Sequence, residues 1–327
     1  MSSAEKKNYW VGLDLGGTKM LATVYDADFK PIGRRRRRTK GTEGADSVTA
    51  RMIRTLRDAI EDAKLTPSEV SGIGIGIPGP VDQEKGVVLE AVNLSWENVQ
   101  LAKLVKSELD LPVVVLNDVD AGVYGEYRFG AAKSARTAIG IFPGTGIGGG
   151  CVYDGQIIRG KRNSCMEIGH ISVTPEGQLC GCGLRGCLET EASRLAISAE
   201  VAKAAYRGEA PYVLASAGTT LADIRSGILA EAIAAGDKVV EQIVRRAARI
   251  LGTAVAASVH LLGPDVIVLG GGLVEAMPEL YIETVASAAR KAVMPSFVDT
   301  FKVVAAKLGD DAGVLGCAAW AQKTFSE

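Results

Sequence analysis

Residues 11–25 read VGLDLGGTKMLATVY, and residues 139–153 read IGIFPGTGIGGGCVY. Each is an apolar run, a glycine-rich break and a second apolar run. Short apolar runs bounded by such breaks are strands, so each stretch predicts a β-hairpin. In the first break, Gly16 and Gly17 let the backbone turn sharply with its N–H groups exposed. Thr18 adds a hydroxyl donor and Lys19 a positive charge, a combination that can hold phosphate oxygens. Asp14, at the end of the incoming strand, is placed to orient Mg2+ through water. The second break repeats the idea with Gly144, Thr145, Gly146 and Gly148. The same pattern written twice predicts two related lobes.

A third glycine turn, Gly270, Gly271 and Gly272, follows the apolar run DVIVL and precedes helix-like sequence. It can let a base or ribose lie flat against backbone. PGTGIGGG is not a Walker A loop, because no Lys-Ser/Thr pair follows. PGTGIGGG is not a dinucleotide fingerprint either, since the CVYDGQII after it is a strand and not a helix. Alone, each turn could be a plain hairpin or connector. Three in one chain point to a nucleotide site.

The surrounding sequence sets the frame. The chain has 327 residues, too many for one ordinary core, so two domains are expected. Hydrophobic residues make up 47% and charged residues 23%, as in a globular protein. The net charge of −1 gives no basic field to favour nucleic acid. The opening MSSAEKKNYWVGLDLGG lacks a signal-peptide apolar stretch, and no run of ~18 apolar residues predicts a membrane span. A cytoplasmic location with reduced cysteines follows as the expectation.

Strands and helices alternate along the chain, which makes the class α/β. Residues 46–64 carry Val48, Met52, Ile53, Leu56 and Ile60 at helical spacing, with Asp46 or Ser47 as the cap. VSGIGIGI and LPVVVLND read as buried strands, 189–262 as mostly helical, and the end as a last strand and a closing helix. The five arginines 34–38 fall on the third strand of the opening meander. They read first as a solvated strand face, with anion or polyphosphate contact as the alternative.

Two segments carry further chemistry. VLND puts Asp118 at the C-terminal end of a buried strand, where ligands of open α/β sheets bind. A carboxylate there is suited to accept a hydroxyl proton. It is equally suited to cap the helix that follows. Asn117 beside it and Asn93 in NLSW each offer a donor and an acceptor, which fits a ligand hydroxyl, and Asn93 could equally be a turn residue. GHISVTPEGQLCGCGLRGCLE, residues 169–189, holds three of the six cysteines and one of the two histidines. His170, Cys180, Cys182 and Cys187 make a Cys3His set of the structural zinc kind, against scattered buried thiols.

Taken together, DLGGTK, GTGIGGG and VLGGGL resemble the first phosphate, second phosphate and adenosine motifs of the actin, Hsp70 and hexokinase superfamily. IPGPV, NLSWEN, NDVDAGVYGE, EIGH and CGCGLRGCLE are similar to the ROK family of bacterial sugar kinases, above all its ATP-dependent glucokinases. The match covers almost the whole chain in the expected order.

The resemblance implies a two-lobed actin/Hsp70/hexokinase-like (ribonuclease H-like) fold with a cleft between the lobes. One lobe would be 1–117, with the C-terminal helix 312–327 packing back on it. The other would be 118–311 and carry the zinc segment 170–187. It implies ATP, Mg2+ and structural Zn2+ as cofactors, Asp118 as general base, and a glucose 6-hydroxyl as acceptor. Pro78, Gly79, Asn93, Asn117, Glu167, His170 and Glu189 would border or contact the sugar, with His170 also a zinc ligand. The partners would be sugar and nucleotide, with neither nucleic acid nor membrane, in a homodimer or tetramer.

Two positions depart from the family pattern: Met166 stands beside Glu167 where a small residue is usual, and Asp120 where Asn is usual. These departures bear on which sugar is used. Rival substrates are fructose, N-acetylmannosamine, N-acetylglucosamine and allose, and polyphosphate is a rival donor. A sugar-sensing regulator of the same family would carry an N-terminal helix-turn-helix domain, for which the residues ahead of the first strand leave no room. A non-catalytic or ATPase-type relative of actin is a further class, and the sugar-pocket residues argue against it.

Overall fold

The computed structural model describes residues 8–161 and 163–326. The opening heptapeptide of the stretch read as lacking an export signal, Arg162 and Glu327 lie outside the described residues. The chain forms two compact units. The first takes the chain through Ser134, Gln156–Cys165 and everything from Leu308 onward. The second takes Ala135–Gly155 and Met166–Lys307. The division therefore falls after Ser134, not after residue 117.

The first unit opens with β1 (Tyr9–Leu15), β2 (Lys19–Tyr25) and β3 (Pro31–Arg38), an antiparallel meander. Then come α1 (Ala45–Asp62) and β4 (Val70–Ile77), which lies parallel to β1. A small antiparallel sheet follows: β5 (Val81–Asp82), β6 (Val87–Ala91) and β7 (Trp96–Val99). Helix α2 (Leu101–Leu109) leads to β8 (Val113–Asn117), parallel to β4, and α3 (Asp118–Phe129). The main sheet has the order β3-β2-β1-β4-β8.

The second half starts again with a hairpin, β9 (Thr137–Pro143) and β10 (Ile147–Tyr153), then β11 (Gln156–Ile157). A helical stretch follows: α4 (Leu188–Ala192), α5 (Arg194–Tyr206), α6 (Pro211–Ser216), α7 (Ser226–Ala234) and the long α8 (Lys238–Leu262). Next come β12 (Val266–Leu269), α9 (Gly272–Ala276), α10 (Pro278–Ala292) and β13 (Lys302–Ala305). Within the second unit the sheet order is β10-β9-β12-β13. In both sheets the strands of the hairpin run antiparallel and the two strands beyond it run parallel. The duplication expected from the two hairpin sequences is a duplication of sheet topology.

Helix α11 (Ala312–Ser326) closes the first unit. It packs on β1, β4 and α3, and it does so through glycine. A Cβ on Gly12 would lie 1.8 Å from the Val314 carbonyl oxygen, and one on Gly74 would lie 1.9 Å from that of Cys317. Against α3, a Cβ on Gly316 would lie 1.8 Å from the Ala121 carbonyl, and one on Gly125 2.3 Å from that of Ala312. Backbone touches backbone, so α3 and α11 form one layer over the sheet. That contact is why α3 belongs to the first unit and the boundary moves past residue 117.

Helix α1 buries Val48, Met52, Leu56 and Ile60 against Leu13, Leu15, Met20 and Ile73. Its cap differs from expectation. Gly44 is the N-cap, with φ 86°, and no side chain accepts there. Asp46 lies already within the first turn. The arginine run is a strand face with acids on both sides. Arg34 meets Asp311 at 2.6 Å and Arg36 meets Asp310 at 3.1 Å. On the alternate positions Arg35 meets Asp62 at 3.1 Å, and Arg37 pairs with Asp58 of α1. Side-chain alternation along β3 thus sends successive arginines in turn to the 3-10 turn Gly309–Asp311 and to α1.

Candidate active site

The first unit gathers Asp14, the GGTK turn, Gly79, Asn117 and Asp118 at the carboxyl ends of β1, β4 and β8. The turn is closed by the Gly16 N–H donating to the Lys19 carbonyl at 2.9 Å. The Thr39 hydroxyl donates to the Gly16 carbonyl at 2.6 Å, which fixes the outer face. Gly17 has nothing within 4 Å of where a Cβ would stand, so this side of the turn is open. The Lys19 ammonium lies 2.6 Å from Asp310, so a phosphate bound at this turn would share that ammonium with the carboxylate.

Asp14 senses the charge of Asp118. Burial, then the charge of Asp118, pushes the Asp14 carboxyl up to about 7, against a smaller opposing pull from Lys19. Burial likewise raises Asp118, while the Val119 N–H, donating at 2.9 Å, pulls the other way. The pair holds more negative charge than Lys19 offsets, which is an environment that takes a divalent cation. Gly313 of α11 leaves room for the Asp14 carboxylate, since a Cβ there would be 3.0 Å from its Oδ2.

The helix-cap reading of Asp118 is resolved by its neighbour. Asn117 is the N-cap of α3, and its Oδ1 accepts from Val119 N–H at 2.8 Å and Asp120 N–H at 3.1 Å. Its Nδ2 donates to the Gly79 carbonyl at 3.1 Å. Asn117 is thus largely committed to structure, with one amide hydrogen left for a ligand. Gly79 has φ 102°, and a Cβ would lie 2.2 Å from the Glu90 carbonyl of β6, so only glycine fits after Pro78. Asn93 is exposed on a short 3-10 turn, Val92–Leu94, with its carbonyl packed near Gly41. Asp120 is buried on α3, and the acid that senses Asp118 is Asp14.

The second unit carries the rest. His170 Nδ1 lies 3.6 Å from Cys180 Sγ, and Cys182 Sγ lies 3.7 Å from Cys187 Sγ. All four donor atoms fall within 4.8 Å of one another. A tetrahedral zinc with ~2.3 Å bonds to sulfur sets its ligands about 3.8 Å apart, so the residues present fit the ion. Gly183 (φ 87°) and Gly186 (φ 69°) make the bends, and a Cβ on Gly186 would strike the Thr174 carbonyl at 1.6 Å. Glu167 is exposed and opens the 3-10 turn Ile168–His170.

The turn Gly144–Gly146 joins β9 and β10, closed by the Gly144 N–H donating to the Gly146 carbonyl at 2.8 Å. Glycines of this hairpin also make room for neighbouring segments of the second unit. A Cβ on Gly146 would lie 2.2 Å from Glu189 Oε2, and one on Gly149 2.7 Å from the Met166 carbonyl. Gly270 and Gly271 similarly make room for Phe142 and the Pro143 carbonyl of β9. Gly272 begins α9, and Gly148 lies on β10 opposite Phe142.

Three participants escape a reading by motif. Arg194, in ASRLAI, donates from its guanidinium to Thr145 Oγ1 at 3.0 Å and from its backbone to the Gly144 carbonyl at 2.8 Å. Nothing in its local sequence signals this. Asp310 sits in GDDAG just before the closing helix, and Gly313 in the first turn of that helix. Two adjacent acids flanked by glycine at a helix start were a usable signal.

The geometry has relatives. A sequence profile of the ROK family matches residues 10–324. Over 310 residues the chain is 34% identical to a glucokinase of Thermotoga maritima, covering 94% of this chain and 95% of that one. Its fold superposes with a TM-score of 0.82 on a ROK family glucokinase from Streptomyces griseus, crystallised with glucose and AMPPNP. That protein is 32% identical, with 96% of this chain and 99% of the other covered. The chain is also 31% identical to a xylose repressor of Caldicellulosiruptor bescii, over 82% of this chain and 68% of that protein. With the profile running from β1 into α11, the chain belongs to the ROK family.

Proposed function

We propose that the protein is an ATP-dependent hexose kinase that phosphorylates the 6-hydroxyl of glucose, with Asp118 as general base. The observation that carries this reading is the juxtaposition of Asp118, Asp14 and the GGTK turn in the first unit. A base, an acid suited to a cation and a phosphate turn are what phosphoryl transfer to a hydroxyl needs. Glucose and ATP as the substrates are supported by the glucokinase relatives.

Asp118 accepts the hydroxyl proton as the sugar oxygen bonds to the γ-phosphorus, and the bond from that phosphorus to the β,γ-bridging oxygen breaks, leaving ADP. Burial raises the basicity of Asp118, which favours proton transfer in the transition state. Asn117 caps α3 and so fixes the backbone that presents Asp118. Gly16, Gly17, Thr18 and Lys19, with Gly144, Thr145, Gly146 and Gly148, take the phosphates, and Gly270–Gly272 the adenosine. Asn93, Glu167, His170 and Glu189 take sugar hydroxyls alongside Pro78 and Gly79. Mg2+ would arrive with the nucleotide near Asp14 and supply charge compensation. Zn2+ would be held by His170, Cys180, Cys182 and Cys187 as a structural cross-link. Family membership supports a homo-oligomer acting in the cytoplasm. Among the described residues no helix is long and apolar enough to cross a membrane.

Replacing Asp118 by Asn should lower kcat by about 10²–10⁴-fold, the usual contribution of a general base. Sugar affinity, read by calorimetry, should stay within a few-fold. Retained turnover would remove Asp118 from the base role. A second reading, a sugar-responsive regulator, is favoured by the likeness to the xylose repressor. Under it the D118N variant and the parent would bind sugar alike, and neither would release ADP.

A further inference from the structure

The turn Gly144–Gly146 is held by the chain that leaves the Cys3His cluster. The Ile147 N–H donates to Glu189 Oε2 at 3.0 Å. Arg194 holds the turn twice, through the Gly144 carbonyl and the Thr145 hydroxyl. Glu189 stands two residues after Cys187, in the first turn of α4, and its Oε1 lies 3.9 Å from Cys180 Sγ. The other end of the cluster touches the same hairpin. Gly169, next to His170, packs on the Ile147 carbonyl, where a Cβ would come within 2.2 Å. The Leu188 N–H donates to the Ile171 carbonyl at 2.9 Å, which ties the two ends of the cluster together.

A glycine turn closed by a single short backbone bond is soft. Anion binding to backbone N–H groups requires those groups to be aligned beforehand, and ordering them on binding weakens affinity. We propose that Glu189 and Arg194 are positioning residues for the nucleotide phosphates, and that through Glu189 the metal occupancy of the Cys3His site sets nucleotide affinity. The inference rests on the reading of Gly144–Gly148 as a phosphate turn. It gives Glu189 a second task beside any sugar contact. When the four ligands are held together, α4 starts at a fixed place and its carboxylate fixes the Ile147 amide.

The test is calorimetric titration of the full-length protein with AMPPNP and Mg2+, and separately with glucose, in zinc-loaded and chelator-stripped forms. Stripping the parent should weaken AMPPNP binding at least about tenfold. Glu189→Ala, zinc-loaded, should show a loss of the same order, and stripping that variant should then add little. Glu189→Gln, which keeps an acceptor for the Ile147 N–H, should recover most of the AMPPNP affinity. Arg194→Leu should weaken AMPPNP without weakening glucose, and it needs no metal removal should the stripped protein lose its fold. AMPPNP affinity within twofold in Glu189→Ala and in Arg194→Leu would overturn the inference and leave Glu189 a sugar ligand alone. AMPPNP affinity unchanged by Gly144→Val with Thr145→Val would overturn the phosphate-turn reading itself, and the inference with it.

Discussion

Asp14 and Asp118 set the pH behaviour. A carboxyl whose folded value lies above its unfolded value binds more protons folded than unfolded between the two. Its favourable contribution is complete below the unfolded value and is lost as pH rises through the folded one. For Asp14 that window runs from 3.8 to about 7. The cation-free protein should therefore lose stability across that window, by on the order of 2–4 kcal/mol. Denaturant midpoints of the parent should fall with pH, and those of Asp14→Asn should be flatter and higher at neutral pH. Under the proposed base role catalysis runs the other way, because Asp118 would have to be ionised to act. The acid limb of kcat/KM should lie above the ordinary aspartate value of about 4. A limb at the ordinary value would separate the base from this buried carboxyl. Asn117 shows what the sequence left undecided. Its residue type fits a sugar ligand and a helix cap equally, and only the positions of the Val119 and Asp120 amides decide for the cap.

At the scale of elements, α11 against β1 and β4 is the most demanding contact. Gly12 and Gly74 face helix backbone at less than a van der Waals separation for any Cβ. Gly12→Ala or Gly74→Ala must displace the helix, and each should cost about 2–4 kcal/mol in chemical denaturation. Gly17→Ala, with open space around it, should change stability by no more than about 0.5 kcal/mol. Equal effects at the three positions would contradict the packing account. The strands and the amphipathic α1 were legible because their apolar spacing is local. The packing of α3 with α11 was not, because it depends on glycines almost two hundred residues apart in the chain. Gly146 was legible as part of a turn, and Gly149 lies on β10. Their role in admitting Glu189 and Met166 was hidden, since nothing local records what packs on a glycine.

For the whole molecule, the two hairpins announced the architecture. The strand order of one sheet repeats in the other, with a small sheet and α2 inserted in the first unit and α4 to α8 in the second. Each unit brings a phosphate-type turn between the first two strands of its sheet. The chemistry is not duplicated. Asp14 and Asp118 lie in the first unit and the Cys3His cluster in the second. A kinase transfers phosphate to the sugar, and a regulator needs only to bind it. The measurement that separates them is sugar-dependent ADP release by zinc-replete protein with Mg2+ and ATP, over a panel of hexoses and amino sugars. The expected result is strong turnover with glucose, lost in Asp118→Asn. Glucose binding without ADP release from any sugar would contradict the kinase reading.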